Sequence, residues 1–117
     1  MKEFLFVYGT LRKGFEPPII AETASKLKFF NEGFIYAKLY DLGEYTGIIL
    51  GGNEKIFGEI LELPNDEKVL QKLDEYEGFE LEKPSKSLFL RKKTIAYFGV
   101  EKLETWVYEY NQNLLSL

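Results

Sequence analysis

Segment 67–77, EKVLQKLDEYE, reads as a helix that carries an acid where an apolar residue belongs. Leu70, Leu73 and Glu77 stand at i, i+3 and i+7, so they share one face. Leu70 and Leu73 must point into a core, and Glu77 is drawn the same way at the last position before Gly78. Asp74 and Glu75 turn towards other faces. An ionised carboxyl on an apolar stripe is expensive unless it is paired or used. Desolvation disfavours the charged form and raises the pKa. Moving a Glu from ~4.3 to ~6–7 takes roughly 3–4 kcal/mol of environment, at about 1.36 per unit, and gives a general base fit for neutral pH. The alternative is a helix that frays at Gly78 and delivers Glu77 to water.

A second place is FVYGTLRKG, residues 6–14. It begins as a strand and breaks at Gly9 into a loop with a hydroxyl at Thr10 and charge at Arg12 and Lys13. A glycine there lets backbone approach a ligand, and neighbouring amides can hold a carboxylate. The same letters also describe an ordinary turn. They lack phosphate-loop spacing. Two weaker signals complete the set. Trp106, Tyr108 and Tyr110 alternate on one face of the last strand, as core, cross-strand ladder or phenols facing a cavity. Glu59 follows Gly58 inside an apolar strand, where the glycine leaves room for a ligand or a bulge.

Composition narrows the chemistry. The chain has no cysteine and no histidine, which removes disulfides, thiolate nucleophiles, Ser–His triads and the usual zinc sites. Catalysis must then run on carboxylates, hydroxyls, Lys, Arg and backbone groups. No spaced set of oxygen ligands is seen, so no metal is expected. Net charge is −4, so nothing draws the whole chain to nucleic acid or anionic lipid. The basic cluster Arg91-Lys92-Lys93 reads as a solvated strand end. The N-terminal segment lacks a signal-peptide pattern and no run reaches the ~18 apolar residues of a membrane span, so the expected location is the cytoplasm.

The elements that must position these groups fit one domain over 1–117. Residues 3–8 form a strand apolar on both faces, hence central. A short helix fits 17–27, after two prolines. Strands follow at 33–40, 46–50 and 55–63. Pro64-Asn65-Asp66 starts the helix to Glu77. Strands at 87–98 and 103–110 end the chain. The result is an α+β fold, a curled sheet or small mixed β-barrel with one or two flanking helices.

With VYGTL at 7–11, FGEILEL at 57–63, LDEYEG at 73–78 and WVYEY at 106–110, the chain resembles the gamma-glutamylcyclotransferase-like superfamily, and most of all its small gamma-glutamylamine cyclotransferase-like members. The resemblance implies a small mixed barrel with helices outside and a pocket at one side. It implies a substrate loop made by Tyr8, Gly9, Thr10 and Leu11, which binds the glutamyl part largely through backbone groups. It makes Glu77 the catalytic acid/base. The implied reaction cyclises a gamma-glutamyl amine or amino acid to 5-oxoproline and releases the amine, with no cofactor. A non-catalytic ligand-binding protein on the same fold, and a hydrolase in which Glu77 activates water, are the competing readings. Two departures bear on them: Phe89-Leu90-Arg91 stands where many relatives carry Tyr-x-Arg, and FEPP after Gly14 lacks the Asn or His common there.

Overall fold

The strand 3–7 is flanked on both sides, as its two apolar faces require. In the computed structural model, which describes residues 2–8, 17–43, 46–80 and 82–116, β1 (Glu3–Val7) pairs antiparallel with β4 (Glu54–Leu63) from Glu3↔Leu63 to Val7↔Glu59, and parallel with β6 (Glu101–Tyr110) at Leu5↔Trp106. β6 runs antiparallel to β5 (Phe89–Phe98) along its whole length, Phe89↔Tyr110 to Phe98↔Glu101. β2 (Lys28–Asp41) pairs with β4 on one side and with β3 (Thr46–Leu50) on the other. One bridge, Phe34↔Tyr97, joins β2 to β5 and closes the sheet. The order is β3-β2-β4-β1-β6-β5: a five-stranded mixed barrel with β3 as an added strand, and an α+β architecture with two helices, α1 (Pro18–Ala24) and α2 (Glu67–Glu77).

Alternation along the strands sorts the apolar residues into two cores. Phe6, Ile35, Ile48, Ile56, Ile60 and Val107 fill the barrel. Leu5, Val7, Leu61 and Leu63, the opposite faces of β1 and β4, meet Ile20 of α1 and Val69 and Leu73 of α2 outside it. β1 therefore contributes to both cores.

β2 begins at Lys28, five residues before the expected start. The sequence pattern hides this because Phe29 and Phe30 are exposed and the register shifts between Phe29 and Asn31. A bulge of this kind breaks the two-residue period. β6 likewise begins at Glu101, on residues expected to form the turn.

Gly58 has a structural use. It faces Gly33 across the β2–β4 ladder. A Cβ on Gly58 would lie 2.1 Å from the Val7 carbonyl oxygen, and one on Gly33 would lie 2.6 Å from that of Tyr97. The two glycines let neighbouring strands press against this ribbon where the barrel curves. The room at Gly58 is thus taken by backbone, with Phe6 beside it, and not left for a ligand. Gly58→Ala is expected to destabilise the fold by about 3 kcal/mol or more, since the obstruction is backbone. Urea denaturation measures the loss, and a midpoint within error of wild type would contradict this packing.

Candidate functional site

α2 begins and ends on local chemistry. Asp66 caps it, accepting the Lys68 N–H at 3.0 Å. Gly78 follows with φ 74°, the left-handed region that favours glycine. The Gly78 N–H donates to the Glu75 carbonyl at 3.2 Å and the Phe79 N–H to the Asp74 carbonyl at 2.8 Å. This double closure is a Schellman motif, and it holds the last turn. The chain then loops back: the Leu88 N–H donates to the Gly78 carbonyl at 3.0 Å, and buried Ser87 donates to the Glu80 and Lys83 carbonyls. The turn carrying Glu77 is fastened at both ends.

Asp74 does more than the sequence reading gave it. Arg91 of β5 meets it with two donors, Nε to Oδ1 at 2.8 Å and Nη2 to Oδ2 at 3.3 Å. Tyr108 of β6, directly opposite Arg91 in the ladder, donates its hydroxyl to Oδ1 at 2.7 Å. The guanidinium lies between two rings, 4.4 Å from the Trp106 centroid and 5.7 Å from that of Phe79. Only 12% of the Arg91 side chain and 15% of the Asp74 side chain reach solvent. Spacing on α2 alone does not show this pair, because its partners lie 17 and 34 residues away.

Glu77, one turn beyond Asp74, points towards β1 and β6. Part of the residue reaches the surface, yet its carboxyl is desolvated, and burial alone raises its pKa to about 7. Among the described residues no donor satisfies it. Tyr8, which follows β1, and Tyr108 both lie near enough that the charge of Glu77 opposes their ionisation. Burial is the larger cause for each, and both phenols are pushed above their usual range. The Tyr8 hydroxyl donates to the Tyr108 carbonyl at 2.8 Å, and the Ile48 N–H of β3 is directed at the Tyr8 phenol oxygen.

The structure therefore brings Tyr8 and Glu77 together. Gly9, Thr10 and Leu11, with Arg12, lie outside the described residues. Trp106, Tyr108 and Tyr110 do share a face, turned to the helix side, where Tyr108 and Tyr110 join the core. Phe89 is buried there, edge-on to Tyr110 at 5.6 Å. The basic cluster is not simply a solvated strand end. Lys92 pairs with buried Glu109 at 2.7 Å, and Lys93 sits 4.3 Å over Trp106. Glu109 also accepts the Leu50 N–H at 2.7 Å, tying β3 to β6.

A mixed barrel flanked by a helix whose last turn presents a desolvated carboxylate defines the architecture. Comparison with known proteins assigns the family. The model of the family described as "Gamma-glutamyl cyclotransferase, AIG2-like" matches residues 5–116, and the chain belongs to that family. A curated protein of Vibrio cholerae, described as "Putative gamma-glutamylcyclotransferase", is 34% identical over 96% of this chain and 85% of its own. The crystal structure of a mouse AIG2-like protein superposes with a TM-score of 0.71 at 24% identity, over 99% of this chain and 84% of that one. YkqA of Bacillus subtilis gives a TM-score of 0.71 at 23% identity; the match covers 95% of this chain but 36% of that one. At these identities the two structures bear on the fold alone.

The state of Glu77 has a cost that can be measured. Its pKa is raised on folding from about 4.5 to about 7. Its stabilising contribution is therefore fully present below the unfolded value and is gone once the pH has risen through the folded one. Glu77→Gln is expected to be more stable than wild type at pH 8 by about 1–3 kcal/mol, a range reduced for the partly exposed side chain. The gap should narrow towards pH 5. Denaturation at the two pH values checks this, and a pH-independent difference would show that Glu77 is solvated.

Proposed function

We propose that the protein is a cyclotransferase that converts a gamma-glutamyl amine or amino acid to 5-oxoproline and frees the amine. The observation that carries the reading is Glu77: a carboxyl fixed on the closing turn of α2, desolvated, with a pKa near 7 and no donor from the described residues. A structural acid would be paired or exposed. This one is kept ready for a proton. Membership of the gamma-glutamyl cyclotransferase, AIG2-like family supplies the substrate class.

The chemistry suits a chain without histidine or cysteine, because the nucleophile belongs to the substrate. Glu77 takes a proton from the α-ammonium group. The free amine attacks the gamma-carbonyl carbon and closes a five-membered ring. Glu77 returns a proton to the departing nitrogen as its bond to that carbon breaks, and the second proton lost by the ring nitrogen goes to the freed amine, which leaves as its ammonium ion. The protein's remaining task is to bend the glutamyl chain so that amine and carbonyl meet. In this reading Tyr8, Gly9, Thr10 and Leu11 hold the glutamyl group, and loop amides stabilise the developing oxyanion. The motif VYGTL supports that role, together with the placement of Tyr8 beside Glu77. No cofactor takes part.

Incubation with a panel of gamma-glutamyl amines and amino acids, followed by mass spectrometry, tests this. Wild type should release 5-oxoproline, and Glu77→Gln should be slower by about 10²–10⁴ while remaining folded. Free glutamate as product would mean that water is the nucleophile. Ligand-induced stabilisation with no product would favour a binding protein. Since the base works ionised, kcat/KM should fall as the pH drops through about 7. A profile flat from pH 5 to 8 would remove Glu77 from the proton transfers.

A further inference from the structure

We propose that the Asp74–Arg91 pair shields Glu77 electrostatically: Asp74 occupies the Arg91 guanidinium, so that the carboxyl one helical turn away meets no uncompensated cation among the described residues. The proposal rests on the reading of Glu77 as the base.

The geometry poses the problem that the pair solves. Arg91 lies beneath the closing turn of α2, largely out of water and sandwiched by Phe79 and Trp106. A guanidinium in such surroundings is screened less than one at the surface and can act on a nearby acid. Left free, it would lower the proton affinity of Glu77 or pair with it, and the base would be weakened. Asp74 takes two of its donors, one on each carboxylate oxygen, and the Tyr108 hydroxyl fixes the same carboxylate. The two charges cancel within one helical turn of Glu77.

The other described groups that face Glu77 add no net charge. It meets the phenols of Tyr8, just after β1, and of Tyr108 on β6, both kept neutral by burial. Glu109, which acts on Tyr8, is balanced by Lys92 at 2.7 Å. Desolvation is then left to set the proton affinity of Glu77. This gives Asp74 and Arg91 the status of positioning residues, acting through Glu77 and not on the substrate.

Charge arithmetic distinguishes a shield from a structural brace. The δ-carboxyl resonance of Glu77 would be followed by ¹³C NMR from pH 4 to 9, without substrate, in wild type, Asp74→Asn, Arg91→Gln and the double variant. Removing the anion should lower the Glu77 midpoint by about one unit, and removing the cation should raise it by a similar amount. The double variant should return close to wild type. A brace predicts the reverse for the double variant, with a midpoint further displaced than in either single change. That result, or unmoved midpoints, would overturn the proposal. If Asp74→Asn does not fold, the rise in Arg91→Gln and its reversal in the double variant decide the sign. A raised KM in Arg91→Gln with an unmoved Glu77 midpoint would make Arg91 a substrate anchor and overturn the shield. If the midpoints move as stated but the acid limb of kcat/KM does not follow, the shield stands and the assignment of Glu77 as base fails.

Discussion

A desolvated carboxyl with no partner among the described residues is the constraint around which this molecule is arranged. Folding places the Glu77 carboxyl where its ionised form is disfavoured, and a marginally stable domain can bear only a few such penalties. The surrounding structure holds the penalty in place. The left-handed Gly78 and its two capping bonds stop the last turn of α2 from unwinding. Leu73, fully buried four residues earlier, pins the turn to the barrel wall. Tyr8, tied to the Tyr108 carbonyl, joins the end of the central strand to the strand behind the helix.

The barrel supplies rigidity and direction. β1 feeds both cores, so its end cannot shift without disturbing the barrel interior and the helix side together. β3 lies across towards β6 and is secured by the Leu50–Glu109 bond. Two buried carboxylates flank this region, Asp74 and Glu109, and each is matched by a cation from the same strand, Arg91 and Lys92. Glu77 stands apart from them. Desolvated acids are ordinarily neutralised by pairing, and the described residues apply that remedy to its two neighbours and withhold it from Glu77.

The sequence was legible where the physics is local. Pro64 to Asp66 and Gly78 delimit α2, and i, i+3, i+7 spacing puts Glu77 on the buried side, since a helix face is read from one segment. The apolar residues on both faces of 3–8 mark a central strand for the same reason. What escaped was non-local. Asp74 lies off the apolar stripe of α2, and its partners sit on strands far along the chain. Arg91 and Lys92 read as solvated for the same cause. The start of β2 was hidden by exposed aromatic residues and a bulge. The closure of the barrel at Phe34↔Tyr97 leaves no mark on either strand's periodicity.

The central claim is that Glu77 receives the α-amino proton, and a structure tests it most directly. Crystals of the Glu77→Gln variant, soaked with an intact gamma-glutamyl amine, would trap the substrate before ring closure. The α-amino nitrogen is expected within about 2.6–3.2 Å of the residue-77 side chain, with the gamma-carbonyl carbon folded back towards it. A substrate bound with its amine turned to solvent, and residue 77 out of contact, would contradict it.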